Sequence, residues 1–83
     1  MITVKYFANL KQMAGKDEEC FDLGKETTLD QVWDAISQTL PKIAALIKEK
    51  KVMVSVNYEV VASDTVVHDG DEIALLPPFS GGS

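Results

Sequence analysis

The sequence predicts an α+β roll: a mixed β-sheet with one main helix packed across it and a flexible C-terminal tail. Three observations carry this. Runs of alternating apolar and polar residues stand at both ends of the chain, at 2–7 and 72–76. Between them, Leu29, Val32, Trp33, Ile36 and Leu40 recur at the spacing of one helical face. The chain has 83 residues, enough for one small core and too few for two domains. The expected division is a globular domain at 1–76 and a tail at 77–83.

The elements follow in order. Ile2, Val4 and Tyr6 point one way and Thr3, Lys5 and Phe7 the other, the period-two pattern of a half-buried strand, which leaves Phe7 on the polar side. Residues 10–14 suit one helical turn ended by Gly15. Residues 19–23 read as a second strand with Phe21 and Leu23 on one face, spaced from the first for a hairpin with a wide connection. Thr28 opens the main helix: with Gln31 it fits a capping box, and Asp30 suits the positive end of the helix dipole. Pro41 ends this helix or starts the next turn. Ile43, Leu46 and Ile47 mark a second short helical segment, closed by Lys48-Glu49-Lys50-Lys51.

Val52, Val54 and Val56 alternate with Met53, Ser55 and Asn57, a strand pattern. Asn57-Tyr58-Glu59 reads as a turn and Val60-Val61 as a very short strand. Asp69-Gly70-Asp71 is a turn with glycine at the left-handed position. In the last strand, Ile73 and Leu75 face one side and Glu72, Ala74 and Leu76 the other. The strands at the two chain ends each have a strong apolar face, so they are expected to pair in parallel at the sheet centre. No internal repeat or linker interrupts the chain.

Composition excludes several functions. The net charge is −5, whereas a phosphate backbone needs clustered Lys and Arg, so nucleic acid is not an expected partner. An acidic surface favours basic protein partners instead. Cys20 is the single cysteine; it cannot form an internal disulfide and reads as a structural thiol. His68, the single histidine, reads as a solvated residue beside a turn. One His and one Cys far apart do not make a metal site, and Asp69, Asp71 and Glu72 read as solvated carboxylates, so no metal or bound cofactor is expected. No Ser-His-Asp set, Gly-rich phosphate loop or paired-carboxylate pattern is visible, so the chain is not expected to build an active site alone. Met1-Ile2-Thr3-Val4-Lys5 has no signal-peptide pattern and no apolar run is long enough to span a bilayer. A cytoplasmic location without a membrane partner is the expectation.

The surface and the tail remain. Pro77 and Pro78 stop the last strand, since proline has no N–H for a ladder. Phe79, Ser80, Gly81, Gly82 and Ser83 follow. Glycines carry no side chain, so the tail can enter a channel only as wide as backbone. By alternation Phe7 and Leu76 both lie on the face opposite the helix, where they form an exposed apolar patch beside the tail root, joined by Val60. Such patches commonly mark partner sites.

The segment from Phe7 to Gly15 (FANLKQMAG), Val56-Asn57, and the ending DGDEIALLPPFSGG from Asp69 to Gly82 resemble the MoaD-type sulfur carriers of the MoaD/ThiS family, the small subunits of molybdopterin synthase. These are ubiquitin-like β-grasp proteins, and the resemblance covers essentially the whole chain. It implies that an E1-like adenylyltransferase uses ATP to convert the terminal glycine carboxylate into an acyl-adenylate. Sulfur then displaces AMP and leaves a thiocarboxylate. The tail inserts into the large synthase subunit and donates sulfur to cyclic pyranopterin monophosphate. In this chain Gly82 would bear the sulfur and Gly81 would give clearance. Pro77, Pro78, Phe79 and Ser80 would set the reach, and Phe7, Lys11, Val60 and Leu76 would dock the partner. Asp69, Asp71 and Glu72 would meet basic groups on a partner. The carrier supplies a reactive end and its partners supply the catalytic groups, in a heterotetramer of two carriers flanking a dimer of large subunits.

Ser83 departs from the family ending. It gives Gly82 an amide where activation requires a free carboxylate. A cloning scar, a natural extension trimmed by a protease and a divergent carrier are the three explanations. Two other readings compete: a related carrier serving thiamine thiazole synthesis, tRNA thiolation or protein conjugation, and a non-catalytic β-grasp interaction module whose Gly-Gly-Ser is merely an end.

Overall fold

The N-terminal strand, β1 (Ile2–Tyr6), and the last strand, β7 (Glu72–Leu76), lie parallel at the centre of a five-stranded sheet, with Val4 opposite Ile73 and Tyr6 opposite Leu75. The computed structural model describes residues 1–61 and 65–77. Burial explains the placement. Ile2, Val4, Tyr6, Ile73 and Leu75 are all buried on one face, and only a central position covers so apolar a pair of strands. β2 (Glu18–Phe21) pairs antiparallel with the outer side of β1. β4 (Met53–Val56) pairs antiparallel with β7, and β5 (Glu59–Val60) closes the far edge. The order is β2-β1-β7-β4-β5.

Helix α1 (Asn9–Ala14) ends at Gly15, whose φ of 74° only glycine adopts without strain. The main helix, α2 (Leu29–Thr39), starts at Thr28. The Gln31 N–H donates to the Thr28 hydroxyl, and the Thr28 N–H donates to the Gln31 side chain, so the capping box is closed in both directions. Leu29, Val32, Trp33 and Ile36 are buried along its inner face. Pro41 begins α3 (Pro41–Lys48) at a position that needs no N–H donor, and Ile43, Ala44 and Ile47 complete the core. The core therefore lies between one face of the sheet and α2 with α3. Among the described residues, the opposite face of the sheet carries no helix.

Two elements were not expected. β3 (Glu26–Thr28) and β6 (Val66–His68) form a separate two-stranded antiparallel sheet, with Thr27 opposite Val67. Each has three residues and buries only its middle one, Thr27 or Val67. A three-residue run has no period to detect, and its partner lies about forty residues away in sequence. His68 accordingly sits in a strand, not merely beside a turn. The second strand also runs at 18–21, not 19–23: Leu23 packs on the core from outside it.

Candidate functional site

Strand pairing decides which side chains share the open face. Lys5, Ala74, Ser55 and Val60 form one cross-strand row. Met53 lies opposite Leu76 in the next row, and the Phe7 N–H donates to the Leu75 carbonyl at 3.2 Å, which carries the β1 alternation one residue further, beside Leu76. The apolar corner next to Pro77 is therefore Phe7, Leu76 and Met53. Phe7 is 42% and Met53 38% exposed; Leu76 is half-buried. Val60 stands two strands away on the edge, on the same face by register, and is 71% exposed. Phe7 and Leu76 adjoin as the alternation required, while Val60 extends the face rather than crowding the corner.

The chain turns immediately after Phe7. Ala8 has φ 54° and ψ −131°, a conformation that glycine takes readily and alanine only at a cost of about 1–3 kcal/mol. It turns the chain sharply from β1 into α1. Lys11, on α1, does not lie on the sheet face. It lines a hollow of about 380 Å³ with Tyr6, Phe7 and Asp17, and its Nζ pairs with Asp17 at 2.9 Å. Beneath this hollow the buried Tyr6 hydroxyl donates to Glu19 Oε1 at 3.2 Å. Burial above all, then the Glu19 charge and hydrogen bond, push the Tyr6 pKa upward, so it stays a neutral donor.

The carboxylates near the last turn have partners within the chain while remaining partly exposed. Asp69 pairs with the N-terminal ammonium of Met1, and Glu72 pairs with Lys5 at 3.4 Å. Asp71 accepts from the His68 N–H at 2.8 Å and from Asn57 Nδ2 at 3.1 Å. The His68 N–H chiefly, with the Asn57 amide and the nearby imidazole, holds the Asp71 carboxyl below the usual range against the opposing effect of burial. Cys20 is exposed on the edge strand, with its Sγ 3.7 Å from the Thr3 hydroxyl, so it is not a core thiol.

Pro77 is half-buried at the end of β7. Pro78, Phe79, Ser80, Gly81, Gly82 and Ser83 lie outside the described residues. Met53 and Tyr58 are exposed apolar and aromatic residues of the face and its edge that sequence reasoning passed over. Cross-strand register, which places Met53 against Leu76, would have revealed the first. No helix among the described residues is long and apolar enough to cross a membrane.

The ThiS family profile matches residues 4–82. The molybdopterin synthase sulfur carrier subunit of Chlamydomonas reinhardtii is 31% identical over 81 residues, covering 98% of each chain. Among solved structures, the putative molybdopterin converting factor subunit 1 of Pyrococcus furiosus superposes with a TM-score of 0.80. Small archaeal modifier protein 1 of Haloferax volcanii superposes with 0.76. Both are 28% identical, each alignment covering 94% of this chain and 97% of the other.

Proposed function

This chain belongs to the ThiS family, and we propose that it is a sulfur carrier, the small subunit of a heteromeric molybdopterin synthase. The observation that carries this reading is that the family match runs through the Gly-Gly ending to residue 82, on a strand that exits beside an open apolar corner. Likeness over 98% of its length to a synthase carrier subunit supports the same reading. The ubiquitin-like β-grasp fold suits such a role. β7 is paired on both sides, so the tail root is fixed while the residues after it are delivered to a partner.

In this reading, removal of Ser83 frees the Gly82 carboxylate. That carboxylate attacks the α-phosphorus of ATP on an E1-like adenylyltransferase, forming an acyl-adenylate and releasing pyrophosphate. A sulfur nucleophile then displaces AMP and leaves the thiocarboxylate. Glycine offers no side chain to hinder attack at the carbonyl, and a thiocarboxylate needs no neighbouring base to be nucleophilic. Phe7, Leu76 and Val60 dock the large subunit, Lys11 contributes at the rim, and Pro77 to Ser80 set the reach of Gly81 and Gly82. ATP is consumed on the activating partner, in the cytoplasm, and the carrier binds no cofactor of its own.

The test is the intact mass of the chain ending at Gly82 after incubation with ATP, the adenylyltransferase and a sulfur donor. The expected result is a gain equal to exchange of one oxygen for sulfur. A chain lacking Gly82 and Ser83 should fold unchanged and never gain it. A chain ending at Gly82 whose mass stays constant would refute the reading. The likeness to an archaeal modifier protein favours a second reading, conjugation to other proteins. Isopeptide-linked adducts on lysines of other proteins, in place of sulfur transfer, would identify that one.

A further inference from the structure

We infer that Tyr58, at the tip of the β4–β5 hairpin, is a second contact for the large subunit, gripping it at the end of the sheet away from the tail. The inference rests on the functional reading above and adds a residue to it. Asn57 and Tyr58 form the two-residue connection, closed by the Val56–Glu59 pair. Both have positive φ, 51° and 71°, as a type I′ turn requires. Asparagine tolerates that region and glycine prefers it, but a bulky aromatic residue there is an outlier. Tyr58 is nevertheless 85% exposed, and its side chain makes no hydrogen bond or ion pair among the described residues. Folding does not account for an aromatic ring at this position. A local rule broken without a structural gain points to function.

The surroundings point to a partner. The Asn57 side chain spans the turn: its Nδ2 donates to Asp71 and its Oδ1 accepts from the Glu72 N–H, both at 3.1 Å. The Asn57 N–H also donates to the Glu72 carbonyl at 2.8 Å. The backbone of the tip is therefore locked to the start of β7, and Tyr58 is presented from a fixed turn, so binding need not order the loop. Tyrosine is among the residue types enriched at interface hot spots. Two positions on, Val60 carries the apolar face from the tip toward Leu76 and Phe7. A standard interface covers about 800 Å² of each partner, about a sixth of this chain's 5194 Å² surface. The start and end of β7 are four residues apart, about 13 Å, so a partner of that footprint seated on Phe7 and Leu76 also reaches the hairpin tip. The matching surface on the large subunit would be a shallow apolar pocket with a hydrogen-bond partner for the phenol at its rim.

The experiment compares the full chain with Tyr58→Gly, Tyr58→Asn and Tyr58→Phe, measuring the melting temperature and, by titration calorimetry, the Kd for the large subunit. Glycine and asparagine suit the left-handed turn, so both variants should melt no lower than the parent. Both should bind at least about tenfold more weakly, while the phenylalanine variant stays within a few-fold of the parent. Parental Kd values in the glycine and asparagine variants would overturn the inference and leave the sulfur-carrier reading intact. A parent chain that acquires a thiocarboxylate but does not bind the large subunit would overturn both the synthase assignment and the inference.

Discussion

Replacing Asp71 by alanine should destabilise the protein by about 2–3 kcal/mol. Its two oxygens accept from the His68 N–H at 2.8 Å and from Asn57 Nδ2 at 3.1 Å. Hydrogen bonds to a charged acceptor contribute about 1.5–3 kcal/mol each. The Asp71 side chain is 21% exposed, so water recovers part of that loss and the total falls below the roughly 3–6 kcal/mol of two such bonds. In a domain this small, 1 kcal/mol moves the melting temperature by about 4–8 °C, so a drop of about 8–24 °C is expected. Asp71→Asn keeps one acceptor oxygen and should lose roughly half as much. The pH dependence supplies the control. The folded carboxyl lies below its unfolded value of about 3.9, so its contribution is complete above that value and disappears as pH falls through the folded pKa. The stability gap between parent and Asp71→Asn should therefore shrink as pH drops from about 5 toward 3. Urea unfolding followed by circular dichroism at several pH values measures this. An asparagine variant as stable as the parent at pH 7, or a gap that stays constant down to pH 3, would refute the reasoning.

Two further outcomes test the core and the docking face. Ile36 is fully buried on the inner side of α2, so Ile36→Ala should cost about 2–5 kcal/mol in chemical denaturation; an unchanged midpoint would place the wrong face inward. Leu76→Asp puts a charge beside Met53 on the open face, where the fold tolerates it, and should weaken binding to the large subunit by about 2 kcal/mol, some thirtyfold, with little change in melting temperature.

Much of the architecture was legible because local chemistry and the final structure agree. Alternation assigned Ile2, Val4 and Tyr6 to the core, and they are buried there. Thr28 and Gln31 announced the start of α2, and the cap is made as their spacing requires. The parallel pairing of the chain ends followed from two strands too apolar to sit at an edge. The carrier ending was legible as a motif, since no tertiary contact is needed to read two prolines and two glycines.

The remainder depended on pairings between distant residues. β3 and β6 exist because Glu26 and His68 meet across 42 positions of sequence, and three residues hold too short a period to declare themselves. That the acidic turn is already paired with Met1, Lys5, His68 and Asn57 follows only from the folded arrangement. Met53 joined the apolar corner through the register that sets it opposite Leu76. Sequence alone therefore determined the longer elements, the buried face and the Gly-Gly ending, because these are encoded in neighbouring residues. Only the tertiary structure decided which side chains share the open face and which charges are already paired, because cross-strand register and ion pairing join residues whose separation along the chain carries no local signal.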